Sequence, residues 1–443
     1  MRWLPQSPRV RRILFAYTAN EVGTWLGYVA LSVAVYDSTH SGAAVAGLLV
    51  ASRLLPALIV PALVARVEAS RRHGELSMLY LVQGACAVTL AAAIADLWLP
   101  AVLLLVMIDG TAGLTASALL RAETTRAELE HATSRDAARP GAVAGDGGNA
   151  AAQERGQRST RSATAALNSA YTAALIVGPA LAGVLVGAWG ARAALLIDAG
   201  SFLLAAALLR ELHPHIEEAG QDSVRSRLAV AWRHLRGTPQ LWRLLVAEAI
   251  AIVFFAAAEP VEVIFAKSTL GAGDSGFGVL LATWGLGMAL GSALFGAAAT
   301  RPLRPLLIGG TLAIGAGYLG FAAAPSLVLA CVAAVVGGIG TGVQWATWLS
   351  AAQMLTPSAL HGRLMGALQS INSLCPAIGF ALGGAVVSLS SARVAFVVAG
   401  GASVLLAGLF VPGTRGLSGA LSAPASGAAE PEPQAVAEKS LAL

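Results

Sequence analysis

Twelve long apolar stretches constrain this chain more than any other feature of its sequence. A helix needs about 20 mostly apolar residues to cross the hydrocarbon core of a bilayer. Each stretch approaches that length, and charged residues are almost confined to the segments between the stretches. The sequence therefore predicts an all-α membrane protein with twelve transmembrane helices. The predicted spans are 13–36, 42–64, 76–96, 99–119, 166–188, 193–210, 241–264, 276–298, 305–323, 326–348, 364–387 and 393–412.

The composition of the chain agrees with lipid as its main solvent. Of its 443 residues, 56% are hydrophobic and only 12% are charged, whereas a soluble domain carries about 25% charged residues. This balance excludes a disordered chain, a nucleic-acid-binding tail protein and most soluble enzymes. We expect no catalytic residue, cofactor, metal or nucleic-acid partner.

Lysine and arginine are distributed unevenly between the two sides predicted for the membrane. If the N-terminus is cytoplasmic, 25 of the 29 basic residues fall in cytoplasmic segments. Only Arg192, Lys267 and Arg393 fall outside, and Arg53 lies within a span. Because cytoplasmic loops carry the excess of Lys and Arg, both termini are predicted to lie inside the cell.

The chain divides into membrane-embedded and cytoplasmic regions. The segment 120–164 is rich in Ala, Gly, Arg and acids, which predicts a flexible cytoplasmic loop. Apolar residues at helical spacing among arginines in the central loop predict an amphipathic helix on the inner leaflet. The predicted regions are a cytoplasmic N-terminus 1–12, an N-terminal six-helix half 13–210, a central loop 211–240, a C-terminal six-helix half 241–412 and a disordered tail 413–443.

The two predicted halves repeat one another. Residues 166–200 match residues 367–401 at a constant offset of 201, and an earlier region matches at an offset of 231. Two parallel, pseudo-symmetric six-helix halves are an architecture of transporters. The glycine pairs are Gly178 with Gly379, Gly183 with Gly384, Gly200 with Gly401 and, earlier, Gly47 with Gly278.

Four ionisable residues lie deep within the predicted spans, away from the span ends, where charge is costly. They are Glu21, Arg53, Asp109 and Glu248, whereas Glu259 and Glu262 lie at the outer end of span 7 and are expected to reach water. A carboxyl group held there can take up a proton in one conformation and release it in another, which predicts proton coupling. The alternative is a structural ion pair of Arg53 with Glu21 or Asp109.

Several polar and aromatic residues within the spans are candidates for lining a substrate cavity. Such groups offer stacking and hydrogen bonds to an amphipathic solute, although each of them can equally serve helix packing. The candidates are Asn20, Trp25, Gln83, Tyr171, Trp284, Gln344 and Asn372.

Several segments carry a resemblance to a known family. The chain resembles the major facilitator superfamily, in particular the bacterial efflux branch that includes enterobactin exporters and macrolide-efflux proteins. The segments are Val35-Tyr36-Asp37-Ser38-Thr39-His40-Ser41, Ser52-Arg53-Leu54-Leu55-Pro56, Leu167-Asn168-Ser169, Gly178-Pro179-Ala180-Leu181-Ala182-Gly183, Ile197-Asp198-Ala199-Gly200-Ser201-Phe202 and Gly362-Arg363.

The resemblance implies helix-packing and gating roles for particular residues. Gly178-Pro179 with Gly183 looks like the antiporter motif of the fifth span, and ordinary small-residue packing is the alternative. Gly362-Arg363 resembles the start of the eleventh span. The loop motif between spans 2 and 3 keeps Arg66 but lacks its usual acid.

These features predict a monomeric secondary transporter of the inner membrane. It would export a small amphipathic molecule, such as a drug-like compound, a secondary metabolite or a siderophore, in exchange for protons by alternating access. The alternatives are a facilitator or importer of a small solute and a non-transporting assembly or sensor protein derived from the same fold.

Overall fold

A computed structural model of the chain describes residues 8–70, 74–94, 98–137, 146–210, 238–298, 301–356 and 361–413. All regular structure in these residues is helical. The helices are α1 (Pro8–Thr39), α2 (Gly42–Ser70), α3 (Glu75–Ala93), α4 (Leu99–Ala137), α5 and α6 (together Asp146–Leu209), α7 (Pro239–Ile264) with a π-helical turn Phe265–Thr269, α8 (Gly273–Ala297), α9 (Leu303–Ala323), α10 (Leu327–Met354), α11 (His361–Leu389) and α12 (Ala392–Gly413).

Local sequence signals explain several of the helix boundaries. Gly190, with φ 78° and ψ 166°, breaks Asp146–Leu209 into α5 (146–189) and α6 (191–209), because glycine adopts positive φ without steric cost. Pro239 occupies the first turn of α7, where its missing N–H is not needed. The Ser326 hydroxyl accepts from the backbone N–H of Leu329 at 3.5 Å and caps α10.

Every predicted apolar stretch coincides with a helix, but the number of membrane crossings stays a prediction. Within the described residues, two shorter apolar helices cover 374–389 and 392–408. Eight helical stretches there are long and apolar enough to cross a bilayer. They are 42–60, 75–93, 99–120, 177–209, 239–269, 273–297, 303–323 and 327–354.

Helix extends into most of the segment predicted as a flexible loop. The helix α4 continues to Ala137 and α5 begins at Asp146, so that only 138–145 of the segment 120–164 lies outside the described residues. Alanine, arginine and glutamate are strong helix formers, and a polar surface does not prevent a helix from extending into water. The central loop 211–237 and the tail 414–443 lie outside the described residues.

One buried core joins the helices α1–α6, the N-terminal set, to the helices α7–α12, the C-terminal set. In this core Val45 and Leu48 of α2 pack in one cluster with Val263, Ala266 and Phe277 of the C-terminal set. It lies at the end of the bundle that holds the turn between α1 and α2. We call this end the first-turn end.

At the opposite end of the bundle, each set has a core of its own. One cluster contains Ile13, Tyr80 and Leu209 of the N-terminal set, and another contains Leu241 and Trp348 of the C-terminal set. Among the described residues, neither cluster includes a member of the other set. The two sets are therefore joined through the first-turn end.

Candidate functional site

Two helix crossings close the first-turn end. Where α5 crosses α8, a methyl group placed on Gly183 would lie 2.6 Å from the Cα atom of Gly278, so the two backbones touch. Where α2 crosses α11, Gly384 faces the side chain of Ala46. Such close approach requires residues without a side chain. Gly178, by contrast, lies against Trp25 of α1 within the N-terminal set.

Polar contacts add a second closure at the first-turn end. The ammonium group of Lys267, in the π-helical turn, lies 2.6 Å from the carboxylate of Asp37 in α1 and also pairs with Asp274. Beside it, the hydroxyl groups of Tyr36 and Ser268 form a hydrogen bond. We call these five residues the latch. Two of them belong to the N-terminal set and three to the C-terminal set, so the latch ties the sets together.

One face of α7 carries three carboxylates and an aromatic ring. Glu248, Phe255, Glu259 and Glu262 follow one another at intervals of seven, four and three residues, which places them on a single helix face. Glu248 is only 3% exposed and Glu262 only 7%. Sequence reasoning placed Glu259 and Glu262 at the membrane surface, and for the buried side chain of Glu262 that interpretation is wrong.

The innermost of these carboxylates has a neutral partner. The amide nitrogen of Gln344 in α10 donates to Glu248 over 2.6 Å, and both side chains are buried. Sequence reasoning selected both residues but did not pair them. An amide donor stabilises a carboxylate without neutralising its charge. The carboxylate of Glu248 can therefore still take up a proton.

Arg53 faces the C-terminal set rather than the acids predicted as its partners. It lies one turn from Leu49, which packs against Ala256 of α7 and Phe380 of α11. Its side chain is exposed, and its charge acts on Glu259. Among the described residues, no ion pair joins Arg53 to Glu21 or Asp109. Depth along a helix, which is all that hydropathy gives, does not specify the face on which a residue lies.

The other two predicted acids lie inside the N-terminal set. Glu21 of α1 lies within electrostatic range of Tyr80 in α3. Asp109 of α4 lies within range of Cys86 in α3 and of Asp198 in α6. One carboxylate oxygen of Asp109 is buried without a hydrogen-bond partner among the described residues. The acids therefore do not converge with Glu248 in one cluster.

The residues predicted to line a substrate cavity are also distributed between the N-terminal set and the C-terminal set. The side-chain oxygen of Asn20 and the side-chain nitrogen of Gln83 are buried in the N-terminal set without a described partner. Trp284 of α8 stacks on Tyr318 of α9, with ring centroids 5.0 Å apart, and its indole N–H also lacks a described partner. Asn372 is half-buried on α11. The side chains of Tyr171, Arg66 and Arg363, and the surroundings of Gly362, lie outside the described part of the chain.

Sequence comparison gives a family for most of the chain. The profile of the Major Facilitator Superfamily matches residues 152–265 and 260–440. An uncharacterized MFS-type transporter of Bacillus subtilis (strain 168), YfiS, is 26% identical over 240 residues. That match covers 51% of this chain and 57% of the relative, so the chain spans little more than half the length of this relative.

Solved structures of transporters share the fold at low sequence identity. The nucleoside transporter NupG has a TM-score of 0.68 at 14% identity and covers 92% of this chain and 100% of its own. A bacterial homologue of the iron transporter ferroportin, in an inward-facing state, has a TM-score of 0.67 at 12% identity, with 93% and 100% covered. A bacterial homologue of the lysosomal transporter Spinster, inward-facing and occupied, has a TM-score of 0.66 at 14% identity, with 92% and 96% covered.

Proposed function

The chain belongs to the Major Facilitator Superfamily, and we propose that it exports a small amphipathic molecule in exchange for protons by alternating access. Family membership and the fold indicate a membrane transporter rather than an enzyme. The substrate, the direction of transport and the coupling to protons are parts of this proposal.

The helix crossings support an arrangement in two six-helix halves. The internal repeat pairs Gly183 with Gly384 and Gly278 with Gly47. In the structure, Gly183 lies against Gly278, and Gly384 lies against Ala46, the neighbour of Gly47. The crossings of α5 with α8 and of α11 with α2 are therefore equivalent under the repeat. Repeats of this kind allow one half to rock against the other around a central site.

The distribution of basic residues supports an orientation for the two ends. Arg192, Lys267 and Arg393 lie at or near turns of the first-turn end. Under the positive-inside rule, that end is extracytoplasmic and the opposite end faces the cytoplasm. The present conformation is then closed to the outside, and its separate cores lie toward the cytoplasm.

The main observation that supports the proposal of proton coupling is the burial of Glu248. This carboxyl group is 3% exposed, and its described partner is the neutral amide of Gln344. A buried carboxyl without a cation is stable when it holds a proton and costly when it is charged. Glu21 and Asp109 are further candidates on the same grounds. Protonation in one conformation and release in the other would couple export to the proton gradient.

Accumulation in cells tests this proposal. Cells that express the transporter are loaded with ethidium, chloramphenicol or fluorescein, which are cationic, neutral and anionic, and accumulation is measured with and without an uncoupler. We expect lower accumulation of at least one probe, reversed by the uncoupler. Equal accumulation in both conditions for all three probes would exclude proton-coupled export of such compounds.

Substitutions connect the test to particular residues. We expect Glu248→Gln to reduce uncoupler-sensitive export at least about tenfold, because the amide cannot carry a proton across. Glu21→Gln tests the second candidate in the same way. Glu75→Gln, at the start of α3, is the matched control and should export normally. Full export by both Glu248→Gln and Glu21→Gln would reject these residues as the proton carriers.

A further inference from the structure

We propose that Trp345 of α10 is a stacking surface for a planar aromatic solute that carries a hydrogen-bond acceptor. Its indole ring lies on the inner side of the C-terminal set, toward the end of the bundle where the two sets have separate cores. This inference names the substrate class of the proposed exporter and so rests on the proposed function.

The first argument is the face of α10 on which Trp345 lies. Val328, Val332 and Val336 follow one another at intervals of four residues and are 72%, 56% and 40% exposed, so this face of the helix meets lipid. Trp345 follows Val336 by nine residues, which is about two and a half turns at 3.6 residues per turn. The indole ring therefore leaves the helix on the side opposite the lipid-facing valines.

The helices beside α10 indicate the same direction. Gly338 and Gly342 touch the backbone of α8, and Gly340 touches the backbone of α9. These two helices therefore cover the two flanks of α10. The side that carries Trp345 faces the interior of the bundle, yet the residue is 37% exposed.

The indole ring of Trp345 has one ring neighbour among the described residues, and that neighbour is fixed. Trp345 stacks on Trp348, with ring centroids 5.8 Å apart and planes inclined by 19°. Trp348 is fully buried, and its indole N–H donates to the backbone oxygen of Leu244 in α7 over 3.0 Å. One face of Trp345 is thus held by the core, and the other is available to a ligand. A ring that is oriented in advance loses little entropy on binding.

A solute can reach this ring between the two sets of helices. Trp348 belongs to the core of the C-terminal set at the end opposite the first-turn end. The described residues of the N-terminal set form a separate core at that end. Neither core includes a described residue of the other set, so the inner side of each set is not covered by the other set's core there.

Polar groups define the chemistry of the solute. Among the described residues, no group accepts a hydrogen bond from the indole N–H of Trp345, so an acceptor on the solute suits this donor. Glu248 lies one turn beyond Leu244 on α7 and accepts from Gln344. The stacked pair therefore lies beside the face of α7 that carries the proposed proton carrier.

An interfacial anchor is the alternative role for an exposed tryptophan. Anchors of that kind lie at the ends of spans, at the level of the lipid headgroups. Trp189, 68% exposed at the end of α5, has this placement. Trp345 instead lies about 14 Å from the end of α10 at Met354, counted at 1.5 Å per residue, and it faces away from lipid.

Trp284 provides the contrast within the C-terminal set. Sequence reasoning selected this tryptophan as a cavity residue and did not select Trp345. Trp284 is only 7% exposed and stacks on Tyr318, so its ring is enclosed by other rings of the core. The geometry therefore assigns stacking of a solute to Trp345 rather than to Trp284.

The test is binding of coumarin to the purified full-length transporter in nanodiscs, measured by equilibrium dialysis with empty nanodiscs as the blank. Octahydrocoumarin, which has the same skeleton and the same lactone oxygens but is neither planar nor aromatic, is the control ligand. We expect the wild type to bind coumarin at least about fivefold more tightly, since stacking requires the aromatic ring. Equal binding of the two ligands, or no saturable binding of coumarin at millimolar concentration, would overturn the proposal.

Variants assign the binding to the residue. Trp345→Leu keeps an apolar side chain without a ring and should weaken coumarin binding about fivefold. Trp345→Phe keeps a ring and should weaken it less. Trp189→Leu is the matched control and should bind as the wild type does. Unchanged affinity in Trp345→Leu, with the protein eluting as a single species, would overturn the proposal, and so would an equal loss in Trp189→Leu. The comparison of the two ligands on the wild type does not depend on the folding of any variant.

The outcomes separate this inference from the proposed function. If coumarin binds through Trp345 but no pH gradient drives its transport in inverted vesicles, the stacking site stands and proton antiport of this ligand fails. If uncoupler-sensitive export of ethidium, chloramphenicol or fluorescein is found while Trp345→Leu binds coumarin as the wild type does, antiport stands and the stacking site fails.

Discussion

The two ends of the bundle are built differently. At the first-turn end, residues of both sets share one buried core, glycine backbones touch across α5 and α8, and the latch adds ionic contacts. At the opposite end, the described residues form one core within each set. Under the proposed alternating access, one end is closed at a time, and we expect backbone contact to provide most of the closure at the first-turn end.

The largest effect is expected from breaking the backbone contact at the first-turn end. In Gly183→Ala, the added methyl group would lie 2.6 Å from the Cα atom of Gly278, so the two helices must separate. Overpacking of this kind costs about 1–3 kcal/mol, which predicts a loss of export of about tenfold. Spin labels at Ser38 and Ser390, one on each set, should show longer distances than in the parent protein.

The control for that substitution lies on α2. A methyl group on Gly47 meets no atom within 4 Å, so Gly47→Ala should retain export and the parent distances. If Gly183→Ala behaves as Gly47→Ala does, backbone contact is not what closes this end.

A smaller effect is expected from a substitution at the opposite end of the bundle. It should lower the stability of the fold and leave the conformation of the first-turn end unchanged. Arg9 of α1 pairs with Glu123 of α4, whose side chain is 2% exposed, so Arg9→Ala removes a partner of a buried charge. Because Arg9 itself is 39% exposed, solvent reduces the cost to about 1–2 kcal/mol. Thermal unfolding should shift to lower temperature, while the distance between Ser38 and Ser390 stays the same.

Arg11→Ala is the control for this second comparison, since Arg11 is exposed in the same turn of α1. It should leave the unfolding temperature unchanged. A change in the distance at the first-turn end in Arg9→Ala would show that the two ends are coupled through the N-terminal set.

The smallest effect is expected from the latch. Lys267→Met removes its ionic contacts with Asp37 and Asp274. Since the Asp37 side chain is 52% exposed, the pair is worth at most about 1 kcal/mol. The population open at the first-turn end should rise no more than about fivefold. A larger rise would mean that the latch, rather than the glycine crossing, holds this end closed.

Helix positions were predictable from the sequence because hydropathy depends on local composition. Over its described residues, every predicted apolar stretch coincides with a helix, and the tight turn at Gly190 follows from a glycine between two apolar runs. The length of α4 was not predictable in the same way, because its polar extension to Ala137 carries no hydropathy signal.

The site was predictable in part. Depth in a span identified Glu248 and Arg53, but not the partners that other helices bring to them. Gln344 is 96 residues from Glu248 in sequence, and no local pattern links the two. Glu259 and Glu262 were missed because they are near the end of an apolar stretch. Their spacing from Glu248 and Phe255, which places all four on one face, was the signal that could have found them.

The turns at the first-turn end have a consequence for reagents that recognise this protein. The connections there are short: two residues join α1 to α2, one joins α5 to α6, and two join α11 to α12. An antibody fragment covers about 800 Å² of its target, which is more than any one of these turns offers. It must therefore contact more than one turn, and an epitope that combines turns of both sets exists only while the sets are together. Fragments with such an epitope would recognise one conformation of the protein.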